Sequence, residues 1–249
     1  MYYMLVLIMG LVIGSFLNVC IYRIPREESI SYPPSHCGSC DHKLNPPDLV
    51  PVFSYVFLKG RCRYCREKIS MRYPIIEMLN AVLYLLIYLN FGFTLEFFKY
   101  CILASLLIVI GIIDYNTQDV YMSTTIFGVI VAIIFIFIQM ILYKTEIMNF
   151  ILAGVVGFGV IGLIVFLTKG MGEGDIEIAL VCGLFLGIKG ILLTLFLAIV
   201  IGGIVGGIIL ALKLKSAKES MAFGPCLAIG AMIAILWGNK IIELYIGSI

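Results

Sequence analysis

The chain has 249 residues, of which 62% are hydrophobic and only 13% are charged, whereas an ordinary soluble domain has about 25% charged residues. This composition excludes a soluble globular domain and indicates a protein that crosses a membrane several times. The net charge of +2 decides little by itself, because the distribution of the charges along a membrane protein matters more than their sum.

Apolar segments long enough to cross a bilayer recur along the chain. A spanning helix needs about 20 apolar residues, and eight segments meet or approach that length, which predicts an all-α polytopic membrane protein with about eight transmembrane helices. The first segment lacks the basic start and the cleavage site of a signal peptide, so we interpret it as a retained span. The sixth is short and contains Gly183 and Gly187, so a tilted or partial span is an alternative there. The predicted spans are 3–22, 74–92, 95–113, 122–143, 149–168, 176–189, 190–212 and 222–247.

One long polar stretch, residues 24–73, interrupts this pattern. Seven of the eight prolines lie between residues 25 and 74, and proline disfavours long helices. The sequence therefore predicts a first transmembrane span at 1–23, a small water-exposed domain at 24–73 and a membrane domain at 74–249.

The polar stretch contains two CxxC motifs, Cys37-Gly-Ser-Cys40 and Cys62-Arg-Tyr-Cys65, with 21 residues between them. Each motif presents two thiolates to one ion, and four thiolates satisfy tetrahedral zinc. A loop too small to bury a large core would also gain folding energy from the metal. Two disulfides are the alternative, which a reducing cytoplasm disfavours. We expect a structural zinc site at these four cysteines.

The basic residues predict the orientation of the spans. The loop between the first two spans carries nine of the 17 Lys and Arg residues, and cytoplasmic loops are enriched in positive charge. Placing this loop in the cytoplasm puts thirteen basic residues inside and four outside, with the N-terminus outside. The cytoplasmic set then also includes Lys169, Lys213, Lys215 and Lys218.

Two aspartates lie where predicted spans meet this cytoplasmic face. Asp114 ends one apolar run, and Asp175 precedes another. A carboxylate at the edge of hydrocarbon is costly, so such residues are usually functional and partnered. Two facing carboxyl groups can share one proton, as in aspartic proteolysis. Gly172 and Gly174 next to Asp175 leave the backbone free for close approach to a substrate or for positive φ.

Several other types of chemistry fit the sequence less well. Both histidines flank the first CxxC motif, so a Ser-His-Asp site in the membrane is excluded, as is an HExxH zinc protease. Water activated between two carboxyl groups is the hydrolytic option that remains. A proton-coupled transporter using the same acids and a zinc-stabilised scaffold without catalysis are the alternatives. We expect no nucleic-acid partner, because topology accounts for the positive charge of the loop.

Other polar residues are expected to have ordinary roles. His36 and His42 should be solvated surface residues rather than metal ligands. Asp119 should be a solvated loop residue, and Glu77 should form an interfacial ion pair with Arg72.

Six short motifs are spread along the chain: GSFLNV at 14–19, YRIP at 22–25, GRCRYC at 60–65, RYPIIE at 72–77, MGEGD at 171–175 and FGP at 223–225. Together they resemble the type IV prepilin peptidases, membrane aspartic proteases of pilus, pseudopilus and competence systems. The match extends over nearly the whole chain.

This resemblance implies a specific activity. Such enzymes remove the short basic leader of prepilins or pseudopilins at the cytoplasmic face of the bacterial plasma membrane. Their two catalytic aspartates correspond to Asp114 and Asp175, which makes 74–249 the peptidase domain. Many members with a tetracysteine loop also N-methylate the new N-terminus with S-adenosylmethionine. GxGD proteases of the signal-peptide peptidase kind share the chemistry, but the tetracysteine loop argues against them.

The sequence departs from the family pattern at two places. Val120, Tyr121 and Met122 stand where the motif around the first aspartate usually has isoleucine, proline and an Asp or Asn. Glu177 replaces a frequent lysine.

Overall fold

The computed structural model describes residues 2–168, 171–212 and 222–246, and within these ranges the only regular secondary structure is helical. Seven of the helices are long and apolar enough to cross a membrane, which confirms the predicted all-α polytopic fold. The α-helices are α1 Tyr2–Arg23, α2 Phe53–Phe57, α3 Arg72–Phe91, α4 Leu95–Thr117, α5 Met122–Tyr143, α6 Ile147–Thr168, α7 Gly174–Ala211 and α8 Gly224–Ile246.

The chain forms two compact units, Met1–Phe97 and Phe98–Ile249. In the first, α1 packs closely against α3, because small residues let two helix backbones approach in lipid. A Cβ added at Gly10 would lie 2.5 Å from the Cα atom of Ala81, and one added at Gly14 would lie 2.7 Å from that of Glu77. Asn80 strengthens this contact by donating from Nδ2 to the carbonyl oxygen of Gly10 at 2.8 Å.

In the second unit, α7 is not one straight helix. Gly187 has φ 72° and ψ 178°, a conformation open essentially to glycine alone. Ile178, in the first part of α7, lies beside Gly224. Gly202, much later in α7, lies beside Phe223, which immediately precedes Gly224 in the sequence. In a straight helix, residues 178 and 202 would be about 36 Å apart. The two arms of α7 therefore run antiparallel, with Gly187 at the tip of the hairpin.

This hairpin explains the predicted spans 176–189 and 190–212, which correspond to its two arms. The first arm, from Gly174 to the residue before Gly187, is about 20 Å long at 1.5 Å per residue, shorter than a hydrocarbon core of about 30 Å. A partial span was one of the two alternatives for this segment. The arm packs along α6, where Gly162 lies beside Ile176: a Cβ at Gly162 would be 3.9 Å from the Cδ1 atom of Ile176.

Four of the basic residues used to orient the chain, Lys169, Lys213, Lys215 and Lys218, lie outside the described residues. The structure therefore describes a multi-pass membrane protein, and the direction in which it crosses the membrane stays a prediction.

Candidate active site

Asp114 lies in the last turns of α4 and is only 4% exposed. Its Oδ2 atom accepts a hydrogen bond from the backbone N–H of Gly224 at 2.8 Å. Gly224 is the first residue of α8, and the first N–H groups of a helix have no partner inside the helix. A carboxylate is also stabilised by the positive end of the helix dipole. The start of α8 therefore both holds and stabilises the Asp114 carboxylate.

Asp175 has a similar setting in the first turn of α7. It is 3% exposed, and its Oδ2 atom accepts a hydrogen bond from the backbone N–H of Gly172 at 3.1 Å. The N–H of Asp175 in turn donates to the carbonyl oxygen of Gly172 at 3.2 Å. The short GxGD segment therefore folds back on its own aspartate and fixes the side chain at a second helix N-terminus.

The structure brings these two aspartates into one site. Ile178, one turn after Asp175, contacts the position of Gly224, where Asp114 is bound. Cys226, in the first turn of α8 close to Gly224, is also buried. The site therefore combines residues from the end of α4 and the beginnings of α7 and α8.

Gly224 is a site residue for which residue chemistry gave no signal, because glycine carries no functional group. A Cβ added there would lie 2.6 Å from Oδ2 of Asp114 and 3.1 Å from Cδ1 of Ile178. The position must therefore lack a side chain for the carboxylate to reach the backbone N–H. The FGP motif at 223–225 was the only sequence feature that marked it.

The two glycines of the GxGD segment have different surroundings. A Cβ at Gly174 would clash with the side chain of Val120, so this glycine allows the α4–α5 connection to pack against the start of α7. Gly172 has more room, with Oδ2 of Asp175 at 3.8 Å from its Cβ position. Neither has the positive φ that was one of the two reasons considered for glycine here. Their role in substrate approach stays a prediction.

Two further acids near the site behave differently. Asp119 is exposed, as expected for a loop residue. Glu177 accepts a hydrogen bond at Oε2 from the hydroxyl of Thr125 at 2.6 Å, which ties the start of α7 to α5. Asp114 and Asp175 are therefore the buried pair, and these two acids lie around it.

The tetracysteine loop forms a separate centre in the first unit. The sulfur atoms of Cys37, Cys40, Cys62 and Cys65 all lie within 4.8 Å of one another, and all are free thiols. The Sγ atoms of Cys37 and Cys65 are 3.8 Å apart. Tetrahedral zinc with bonds of about 2.3 Å places its sulfur ligands about 3.8 Å apart. The four side chains therefore fit a zinc ion.

Two similar turns build this cluster. In the first, the N–H of Cys37 donates to the carbonyl oxygen of His42 at 3.0 Å, and in the second that of Cys62 donates to Glu67 at 2.8 Å. The residue after each second cysteine, Asp41 or Arg66, has positive φ.

The surroundings of the cluster also favour metal binding. The backbone N–H of Ser39 lowers the pKa of the Cys37 thiol to about 7, which favours the thiolate that binds metal. The candidate ligand atoms of the cluster are the four cysteine sulfur atoms. His42 instead stacks on the ring of Tyr64, with 3.6 Å between the ring centroids.

Comparisons with known proteins identify the family of the chain. Residues 8–91 match the bacterial peptidase A24 N-terminal domain, and residues 101–207 match the type IV leader peptidase family. Prepilin leader peptidase/N-methyltransferases are similar along nearly their whole length. The one from Bacillus subtilis is 32% identical, covering 96% of each chain. The one from Pseudomonas putida is 30% identical, covering 94% of this chain and 90% of the relative.

No solved structure gives a significant match. The two matched regions include all four cysteines and both aspartates. Because the similarity to the Bacillus subtilis protein exceeds 30% identity over almost the full length of both chains, the chain belongs to the type IV leader peptidase family.

Proposed function

We propose that this protein is an aspartic endopeptidase that removes the short basic leader of type IV prepilins or pseudopilins at the cytoplasmic face of the bacterial plasma membrane. The observation that carries the proposal is the pair of buried aspartates, each held by a backbone N–H at a helix N-terminus and both in one site. The names of the relatives support the same substrate class.

The geometry suggests how the two carboxyl groups divide the work. Gly224 and Gly172 each donate to one oxygen, Oδ2, of Asp114 and of Asp175. The other oxygen of each side chain is then available for a water molecule or a shared proton. One carboxylate accepts a proton from the attacking water, while the protonated partner donates a hydrogen bond to the scissile carbonyl. The tetrahedral intermediate then breaks its C–N bond, and the leaving amine takes up a proton.

The membrane orientation fits such a substrate. With the N-terminus outside, both aspartates and the tetracysteine loop face the cytoplasm, where the basic leader of a prepilin remains. The apolar helix of the prepilin would lie in the bilayer beside the helices that carry the site. Electrostatic attraction would then act on the basic leader of the prepilin, whereas hydrophobic burial would act on its apolar helix.

The two relatives are also named N-methyltransferases, and we extend that activity to this chain. S-adenosylmethionine would supply the methyl group: its bond to sulfur breaks as the new bond to nitrogen forms, sulfur keeps the electron pair, and nitrogen loses a proton. The tetracysteine loop would bind one structural zinc ion through Cys37, Cys40, Cys62 and Cys65. This ion would supply folding energy to a loop with little apolar core.

The test is co-expression of the chain with a candidate prepilin in cells that lack their own peptidase, with leader loss and N-terminal mass read by mass spectrometry. The wild-type chain should give a product shortened by the leader and 14 Da heavier than the free amine, the mass of about one CH₂. Asp175→Asn should leave the prepilin uncut, while the exposed Glu173→Gln in the same segment should cut normally. Normal cutting by Asp175→Asn would overturn the proposal.

A further inference from the structure

A cavity lies in the first unit, among the end of α1, the start of α3 and the tetracysteine loop. Its volume is about 360 Å³, within the range of small-molecule sites. All its lining residues lie between residues 15 and 77, so neither Asp114 nor Asp175 belongs to it. The proteolytic mechanism makes no use of this cavity.

Arg23 at the end of α1 lines the cavity and is only 6% exposed. Its guanidinium group donates to two backbone carbonyl oxygens, those of Ser29 at 2.8 Å and Pro33 at 2.6 Å. A guanidinium has five N–H donors, so these bonds hold the group in place and leave other donors available. Neither bond neutralises its charge.

Glu77 in α3 also lines the cavity and is 7% exposed. It accepts a hydrogen bond from the backbone N–H of Val52 at 2.7 Å. The ion pair that we expected between Glu77 and Arg72 is wrong. Among the described residues, neither Arg72 nor Glu77 takes part in an ion pair, and in this unit Arg63 pairs with Asp48. The expectation failed because Glu77 turns toward α1 and the loop rather than toward the interface.

The wall of the cavity thus holds a buried cationic group and a buried acidic group that do not pair with each other. Burying such groups without a counter-charge is costly. Asn18, between them on α1, is 2% exposed, and its Oδ1 atom has no hydrogen-bond partner, although Nδ2 donates to Tyr73. Buried polar atoms without partners are rare and call for an explanation. A ligand with one negative and one positive end would satisfy these groups.

We propose that this cavity binds S-adenosylmethionine by its amino-acid end, with Arg23 facing the α-carboxylate and Glu77 facing the α-ammonium group. The inference rests on the methylation half of the proposed function and gives that activity a site of its own. A planar carboxylate suits the fork of a guanidinium. The rings of Tyr22, Tyr55 and Tyr73 also line the cavity and offer apolar surface to the nucleoside.

The test measures binding rather than turnover. The zinc-loaded full chain in lipid nanodiscs is titrated by calorimetry with S-adenosylhomocysteine and, separately, with 5′-methylthioadenosine, which has the same nucleoside and thioether but no amino-acid end. The wild-type chain should bind the first ligand at least about tenfold more tightly, because the lost contacts are hydrogen bonds to charged groups.

The variants Arg23→Gln and Glu77→Gln should each weaken binding of S-adenosylhomocysteine by about tenfold or more and leave binding of 5′-methylthioadenosine unchanged. The exposed neighbour Glu28 provides a matched control: Glu28→Gln should bind both ligands as the wild type does. Zinc content and thermal unfolding report whether each variant is folded. Arg23→Lys replaces Arg23→Gln if the loss of the bonds to Ser29 and Pro33 unfolds the loop.

Three results would overturn the inference, and they differ in what else they affect. If the wild type methylates a prepilin while the variants at Arg23 and Glu77 bind S-adenosylhomocysteine normally, the site is elsewhere and the proposed function stands. If the variants lose both ligands equally, the cavity does not recognise the amino-acid end. If the wild type cuts the leader but neither methylates it nor binds the ligand, the methylation half fails together with this inference.

Discussion

The aspartate site and the tetracysteine cluster are both polar centres of a largely apolar chain, but they are assembled in opposite ways. The four cysteines come from two short turns of the same design, in which each residue depends on near neighbours in sequence. The aspartates come from helix ends 61 positions apart, and the N–H that holds Asp114 lies 110 positions further along the chain. The cluster is therefore a local structure that a metal ion would complete, whereas the aspartate site exists only when three helices are packed.

This difference predicts which substitutions act on chemistry and which act on folding. Changes in the aspartate site should alter turnover in a protein that remains folded, because rigid membrane helices hold the site. Changes in the cysteine cluster should unfold the loop first and alter activity only through that loss.

The largest effect is expected for Asp114→Asn, which removes a group that exchanges a proton in the proposed mechanism. Loss of a general acid or base costs about 10²- to 10⁴-fold in rate, so kcat/KM for a prepilin in detergent-solubilised membranes should fall by about 10³-fold. Asp119→Asn, five residues later and exposed, is the matched control and should stay near wild-type rate. Equal activity of the two variants would contradict the assignment of Asp114.

The next largest effect is expected for Cys62→Ala, which removes a buried cysteine of the cluster and should weaken metal binding. Zinc content measured by elemental analysis should fall from about one ion per chain to well below one. Residues 24–73 should then become sensitive to limited proteolysis, since in this proposal the metal would supply their folding energy. Cys101→Ala, a buried cysteine in α4, should keep both the metal and the protection. A wild-type chain that folds without metal would refute the zinc site.

A smaller effect on turnover is expected for Gly224→Ala. The added methyl group would lie 2.6 Å from Oδ2 of Asp114, so the carboxylate must move away from the N–H that holds it. A misplacement of about 1 Å can cost about 10²-fold in rate. We expect kcat to fall by about tenfold to 10²-fold with little change in KM. Gly203→Ala, with no atom within 4 Å of its Cβ position, is the control.

The smallest effect on activity is expected for Gly187→Ala at the tip of the α7 hairpin. Its φ of 72° would strain any other residue, at a cost of about 1–3 kcal/mol. The loss should appear as a lower midpoint of thermal unfolding in detergent, while kcat/KM at low temperature stays close to that of the wild type. Gly159→Ala, also with open space around it, should leave the midpoint unchanged. An unchanged midpoint in Gly187→Ala would mean that the hairpin tip relaxes without strain.

The same contrast explains how much could be predicted from the sequence. The spacing of the cysteines encodes a local geometry, so the four sulfur atoms could be predicted to form one metal-binding cluster without knowledge of the fold. Asp114 and Asp175 could be selected because a carboxylate at the edge of hydrocarbon is unusual, and charge patterning predicts one face for both. Gly224 could not be selected from its chemistry, since its role depends on packing between α4 and α8. Glu77 was assigned the wrong partner because Arg72 is close in sequence, whereas its hydrogen bond comes from the backbone N–H of Val52.

The packing of the α7 hairpin against α6 also fixes how far Asp175 lies from the end of α6. Gly162 lies level with Ile176, next to Asp175 in sequence, and α6 continues for six more residues to Thr168, about 9 Å at 1.5 Å per residue. We therefore expect a polypeptide that reaches the carboxyl pair to present its scissile bond below the end of α6. A stretch that unwinds readily, rich in glycine and other small residues, would meet that requirement with less distortion than a continuous helix. On this view, the ease of unwinding at that level would favour some polypeptides over others before any side chain is recognised.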